Sequence, residues 1–293
     1  KKFSKKKKNN ENFMLLTLIL FLQLSFGQSI DNDLLSDYSN YNIVLNYYND
    51  FNNDGIKDKL YVLSSEKENN ENLINNNDSI SKRKLVIYFG SKNNYFKKVY
   101  ENDNIFPCRE CLGKSDNYVR DLKFENSILN YTTTIAPFSS EEYSVIDFTL
   151  QYVNNDFIIF QYKETYFSVE TDDNVSIKLD SKDVSKIKFN YYDWIADKTW
   201  IDYVNISNQN LTMLNNFAYR IENINPYVSI KILQKILGKF PNRVVAYLNL
   251  ANSYWNIGEK EKAVENYKKY TSLMKLQKKD LKKIPKYVLE RIK

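Results

Sequence analysis

The amino-acid sequence predicts an α+β protein: an N-terminal leader over residues 1–27, an antiparallel β-rich domain over 28–205, and α-helical hairpins over 206–293. Two observations divide the chain. Between Lys84 and Leu179, short apolar, β-branched and aromatic runs alternate with turn-forming clusters, the pattern of strands in hairpins. From Leu211 onward, apolar residues recur three and four apart, the pattern of amphipathic helices. Charge follows the same division. Residues 28–225 hold 20 basic and 30 acidic side chains, whereas residues 226–293 hold 16 basic and 5 acidic. Opposite signs imply docking of the two parts on each other or an acidic partner for the helices.

The leader has six lysines within residues 1–8, then the apolar run Phe13 to Leu22, then small residues at Ser25 and Gly27. These are the marks of a secretory signal, shorter than the ~20 apolar residues a membrane-spanning helix needs. Export with cleavage near Gly27–Gln28 is expected, giving a periplasmic or secreted protein with no stable membrane anchor after cleavage. No cysteine ends the apolar run to take a lipid, and an exported chain is not expected to bind nucleic acid.

After a short helical or irregular lead (Asp31 to Tyr41) comes the run DFNNDGIKD. Asp50, Asn52 and Asp54 place side-chain oxygens at alternate positions, Gly55 permits a sharp turn, Ile56 offers its carbonyl, and Asp58 stands ninth. This is the ligand order of a calcium loop. An EF-hand would carry Glu where Tyr61 stands, and a strand from Lys59 to Leu63 replaces its exiting helix. The run resembles the strand–loop–strand calcium motif of FG-GAP and VCBS-type exported proteins. That resemblance spans nine residues and implies one structural calcium ion; the alternative is a metal-free Asn-Asp-Gly turn. The loop occurs once, which argues against a propeller.

Strands are expected at Lys84 to Phe89, Tyr95 to Val99, Tyr118 to Phe124, Ile128 to Thr133, Tyr143 to Val153, Asp156 to Tyr166 and Val175 to Leu179. Ser185 to Tyr191 alternates as a further strand, and Asn154-Asn155-Asp156 reads as a hairpin turn. So many short strands imply an antiparallel sheet folded on itself. Glu66 to Asp78 is too polar to pack and reads as a solvated loop.

Cys108 and Cys111, in FPCRECLGK, read as a short-loop disulfide in an oxidising compartment. Pro107 and Gly113 suggest a loop there, not the helix start a redox cysteine pair needs. Trp194 and Trp200 read as core or domain-junction residues, with a carbohydrate platform as the alternative. The chain contains no histidine, which excludes Ser-His-Asp and Cys-His nucleophile systems, histidine-held metals and imidazole proton shuttles. Two cysteines cannot build a four-thiolate zinc site. Carboxylate-pair hydrolysis stays formally open, and nothing in the sequence points to it.

In the helical part, Leu211 to Glu222 is amphipathic, Pro226 suits the first position of a helix running to Phe240, and Pro241 ends it. The strongest pattern follows from Asn242 to Tyr270. Tyr247, Leu250, Ala251 and Tyr254 share one helix, Asn256-Ile257-Gly258 turns the chain, and Ala263 and Tyr267 lie on the next helix. The alanines are small where two helices must approach. The order Tyr-x2-Leu-Ala-x2-Tyr…Ala-x3-Tyr resembles the tetratricopeptide repeat. Ser229 and Leu233, thirty-four residues before Ala263 and Tyr267, extend the likeness backwards.

This resemblance implies a groove lined by the first helices that holds a protein or peptide, with Tyr247, Asn249 and Asn252 as contacts and Lys260 just past the turn. Two units and a closing helix from Pro285 to Ile292 are few for a free-standing array. The β-rich part, or a second copy of the chain in a homo-oligomer, is expected to cover an exposed face. The expected function is that of a non-catalytic exported protein with a protein or peptide partner in the cell envelope; the alternative is a cell-wall or glycan-binding protein.

Overall fold

A computed structural model describes residues 33–65, 82–108, 119–135, 142–168, 174–195 and 200–293. The leader and Cys111 lie outside the described residues. Among those described, two consecutive antiparallel meanders stand where one folded sheet was expected. The first runs β1 (Tyr41–Asn49), β2 (Asp58–Ser65), β3 (Arg83–Gly90) and β4 (Phe96–Phe106) in sheet order. The second runs β5 (Arg120–Glu125), β6 (Ile128–Ile135), β7 (Glu142–Val153), β8 (Asp156–Ser168) and β9 (Asn174–Asp180). β4 and β5 do not pair, so the ladder breaks there. Packing joins the sheets instead, with one backbone bond from Ser127 N to Phe51 O at 3.0 Å.

The hairpin turns follow from asparagine. Val153 pairs with Asp156 across Asn154 (φ 52°) and Asn155 (φ 60°), and Glu125 pairs with Ile128 across Asn126 (φ 51°) and Ser127 (φ 61°). Two consecutive positive φ values give the primed turn whose twist matches the strands it joins. On β8 the register shifts opposite Thr149 and Leu150. Phe157 and Ile159 face the core before the shift, Tyr162 and Tyr166 after it, and Phe160 is left 44% exposed.

Aromatic pairs bridge the two sheets: Phe51 with Phe124 at 4.7 Å, Phe106 with Tyr131 at 4.9 Å, and Tyr100 with Phe157 at 5.1 Å between centroids. Such edge and tilted contacts add to the area each ring buries. β2 and β3 are buried on both faces. Leu60, Val62, Leu85 and Ile87 enter the shared core, while Tyr61, Leu63, Val86 and Tyr88 pack under Leu34, Leu35 and Tyr38 of the N-terminal lead. A 3-10 turn, Ser36–Tyr38, holds that lead in place, and Tyr88 Oη donates to Leu34 O at 2.7 Å.

Among the described residues seven α-helices follow: α1 (Tyr191–Ile195), α2 (Trp200–Tyr203), α3 (Leu211–Arg220), α4 (Pro226–Lys239), α5 (Val244–Asn256), α6 (Lys260–Leu276) and α7 (Lys286–Arg291). The alternating stretch from Ser185 to Tyr191 is not a strand. Within it lies one isolated bridge, Lys188 with Ile158, and Val184 just before it bridges Val204. Asn190 accounts for this: its side chain accepts the Tyr192 N–H at 3.0 Å and starts α1. Trp194 and Trp200 are buried against Tyr162, so neither offers a surface for a sugar.

In α4 the Asn225 side chain accepts the Val228 N–H, with Pro226 at the first helical position. Gly258 (φ 83°) turns the chain between α5 and α6. Gln277, past the end of α6, bonds Asn242 O at the start of α5, so these two helices run antiparallel. The hydrophobic core continues from Phe51 through both sheets to Ala246 and Leu250, and a second cluster packs α5, α6 and α7 around Tyr267. No helix among the described residues is long and apolar enough to cross a membrane.

Glu101 on β4 secures the lead. It accepts from Tyr38 Oη at 2.6 Å and from Lys84 and Lys98, both at 2.9 Å. Burial works to raise its pKa, but the three hydrogen bonds outweigh it and hold the carboxyl at about 2. A depressed carboxylate contributes stability that is full above the unfolded value of ~4.3 and fades as pH falls towards 2. Glu101→Gln should therefore cost about 1 kcal/mol at pH 7, an exposure-discounted figure. Urea denaturation should show that difference closing as pH falls from 5 to 2.

Candidate functional site

The helical half builds one continuous polar face. Arg243 Nη2 reaches Thr212 Oγ1 at 3.4 Å, and Asn256 Nδ2 donates to Glu222 O at 3.0 Å. The starts of α3 and α5 are thus neighbours, and so are their ends, so the two helices lie side by side in the same direction. α4 fits behind them through Ser229, whose Oγ donates to Ala218 O and contacts Ser253 Oγ, each at 2.8 Å. Ser229, Ala251 and Ala263 have no exposed surface, as close helix approach requires.

Asn252 stands at the centre of this face. Its Oδ1 accepts from Tyr267 Oη at 2.8 Å and Tyr287 Oη at 3.2 Å, joining α5, α6 and α7. Arg291 Nη1 donates to Tyr267 Oη at 2.6 Å, and its guanidinium lies 3.9 Å from the Trp255 ring centroid and 4.7 Å from that of Tyr287. Lys260 Nζ sits 3.7 Å from the Trp255 centroid and donates to Trp255 O at 2.8 Å. Trp255 is half-buried between two cations, a setting in which its ring quadrupole is used twice.

Glu222 closes the ladder at the end of α3. The side chain is 8% exposed, and Oε2 has no hydrogen-bond partner. Burial pushes its pKa up to about 7, with a hydrogen bond to Asn252 opposing. The group therefore gains or loses its proton near neutral pH.

Of the residues expected to meet a peptide, Asn252 and Lys260 belong to this face. Tyr247 lies at the other end of α5, with Oη bonded to Pro241 O at 3.1 Å. Asn249 is 4% exposed and packs inward, so a peptide cannot reach it. Three residues before Asn252 on a helix, it takes the edge of the stripe that buries Ala246 and Leu250. Sequence reasoning missed Glu222, Trp255, Tyr287 and Arg291. One signal was available for one of them: Trp255 follows Asn252 by three residues, one turn along the same face.

The oxygen-rich loop forms a second feature. Asp50 accepts the N–H of Asp54 at 3.1 Å and of Gly55 at 2.8 Å. Asn52 accepts the Asp54 N–H and donates to Asp54 Oδ2, while Asp54 accepts the Ile56 N–H at 2.8 Å. Gly55 (φ 81°) makes the turn. Asp58 is fully buried: Oδ2 accepts the Phe51 N–H at 2.8 Å and Oδ1 the Gly90 N–H at 2.9 Å. Gly90 must approach this closely, since a Cβ there would stand 2.4 Å from Lys57 O. Burial raises the Asp58 pKa, the two amides lower it, Asp54 and Asp50 raise it further, and the net shift is upward.

Asp50, Asn52, Asp54 and the Ile56 carbonyl thus share one loop, and each carboxylate keeps lone pairs beyond those its amides use. That donor set fits a hard cation. Asp58 is held as the loop's buried anchor. Among the described residues, no three His, Cys, Asp or Glu groups converge as a metal site. Cys108 is disulfide-bonded, and Cys111 lies outside the described residues. No protein-family model, curated protein or solved structure matches this chain.

The Glu222 shift has a definite sign. The folded state holds the proton more tightly than the unfolded chain, so stability is full below ~4.3 and falls as pH rises to about 7. Glu222→Gln should remove this dependence and leave the variant about 1–3 kcal/mol more stable than the parent at pH 8. Urea midpoints between pH 4.5 and 8 check it; parallel curves would place the titration elsewhere.

Proposed function

We propose that this chain is an exported, non-catalytic binding protein whose tetratricopeptide-like helix pairs hold a protein or peptide in the cell envelope. One observation carries the reading: α3 and α5 lie side by side, and Asn256 bonds Glu222, thirty-four residues earlier. A repeat of that length stacks equivalent helices in this way. The face so formed joins Asn252, Trp255, Tyr287 and Arg291. It combines an aromatic ring, an arginine and amide groups, the chemistry enriched where proteins bind one another. The leader accounts for export.

Calcium belongs to the same proposal as a structural ion. Asp50, Asn52, Asp54 and the Ile56 carbonyl would hold it, and it would offset the repulsion between Asp50, Asp54 and buried Asp58. The chemistry it supplies is a charge that fixes the loop; the chain's own amides already shape the turn.

Two measurements test these statements. The immobilised full chain, exposed to envelope extract, should retain a discrete protein, and Trp255→Ala or Arg291→Ala should reduce recovery at least about tenfold. Equal recovery by parent and variants, or none across several salt concentrations, refutes the assigned face. Calcium calorimetry on residues 28–293 should give saturable heat that Asp54→Ala abolishes. Absence of heat from the parent would leave Asp50 to Asp58 a plain turn.

A further inference from the structure

A cavity of about 530 Å³ opens between the first turns of α5, the last turns of α6 and the connector that follows. It arises from chain geometry. α5 and α6 are antiparallel, so residues 242–248 stand beside residues 270–277. Beyond them the chain forms only a 3-10 turn, Leu281–Lys283, before α7 starts at Lys286. No helix covers this end of the α5–α6 pair, as α7 covers the end holding Tyr267.

The floor is apolar. Tyr270 and Met274 are buried, Leu248 is half-buried, and Val245 is 38% exposed. The rim is cationic: Arg243, Lys279 and Lys283 line the opening, and no ion pair engages any of them. Arg243 has a buried Nε with no hydrogen-bond partner, and Nη2 makes only the long contact to Thr212. One acid stands on the rim, Asp280, whose Oδ1 accepts the Lys282 N–H at 3.0 Å and caps the 3-10 turn; against the three cations it leaves the rim net positive. Arg243 also flanks the start of α5 without capping it by its side chain, so the helix dipole adds to the positive field.

We infer that this cavity binds an acidic peptide segment, with carboxylates on Arg243, Lys279 and Lys283 and an apolar side chain against Val245, Leu248, Tyr270 and Met274. The space lies within the ~300–1,000 Å³ of ligand pockets, well beyond the needs of a single inorganic anion. Two helical turns, about 11 Å, give it the reach of several extended residues. A guanidinium whose one hydrogen bond is the long contact to Thr212, beside an apolar floor, suits a carboxylate next to a hydrophobic side chain, because the fork can bond it bidentately while the neighbour is desolvated. This inference deepens the proposed binding function and rests on it, but it concerns different residues from the Asn252–Trp255–Arg291 face.

The test uses the full chain and a fluorescein-labelled hexapeptide of alternating glutamate and leucine, followed by fluorescence anisotropy. Saturable binding is expected, with a lysine–leucine hexapeptide inert. Arg243→Gln should weaken binding at least about tenfold. The double reversal Lys279→Glu, Lys283→Glu should do the same; both side chains are exposed, so the fold is not at risk. Lys268→Gln, which alters an exposed cation of α6 outside the cavity lining, should leave this affinity within about twofold.

Absence of binding, equal binding by the charge variants, or a response to inorganic phosphate alone would overturn the cavity assignment. Loss in Trp255→Ala, with none in the charge variants, would also overturn it while leaving the wider binding reading intact. A partner recovered from envelope extract, and retained equally by the charge variants, would separate the two claims in the same way.

Discussion

The constraint on which the rest depends is the unbroken aromatic and aliphatic core from Phe51 to Leu250. Neither part could bury its apolar surface alone. Two short meanders each present one face, and Phe51, Tyr100 and Phe106 of the first close on Phe124, Tyr131 and Phe157 of the second. β8 then extends past the first sheet. Tyr162 meets Trp194 and Trp200, and Tyr166 meets Phe217 of α3. The helices are therefore seated on the second sheet through α3. That seat fixes α3, and α3 fixes the register of α5 through Arg243 and Asn256.

Burying so much of β8 brings a carboxylate inside. Glu164 is fully buried, and both Tyr162 and Tyr166 donate to its Oε2. The arrangement follows from strand parity: residues 162, 164 and 166 share one face, so the carboxylate meets the hydroxyls of its own neighbours two residues away. Desolvation raises both tyrosine pKa values further above 10, keeping them protonated as donors. A buried charge without donors would cost several kcal/mol. Here the group's own strand supplies two of its donors.

What the sequence disclosed follows the range of the interactions involved. Strands, helices, the leftward turns at Gly55 and Gly258, and the Asn154–Asn155 hairpin depend on neighbouring residues and could be read from them. With only six glycines in the chain, Asn53, Asn94, Asn126, Asn154 and Asn155 occupy positive-φ positions, since a short amide tolerates that region better than other side chains. The stretch from Ser185 to Tyr191 misled because alternation marks a strand only where a partner ladder exists, and Asn190 gives the backbone a competing helix start. Asn249 misled because exposure on a helix turns on a rotation of about 100° per residue. The break between β4 and β5, the role of Glu222 and the cavity at Arg243 join residues dozens of positions apart, and no local pattern encodes them.

Charge links these levels. The opposite signs of the two parts imply docking or an acidic partner, and the helices divide between these uses by position. On α4, Lys231 pairs with Asp202, Lys235 donates to the carbonyls of Ile201 and Asp202, and Lys239 donates to Ile206 O. Burial lowers the Lys235 pKa, which Asp202 partly restores while Lys231 lowers it further; this is the mark of a lysine spent on internal structure. Lys235 and Lys239 cap the carbonyl ends left by α2 and the segment after it, and Lys231 adds an ion pair there, so α4 is fastened to that segment by its basic side chains. Arg243, Lys279 and Lys283 instead line the cavity at the start of α5 and the end of α6. The basic character of the helical half is thus partly an internal fastening, partly the cations on Trp255, and partly Arg243, Lys279 and Lys283 at one end of the α5–α6 pair, where an outside acid would find both charge and apolar surface.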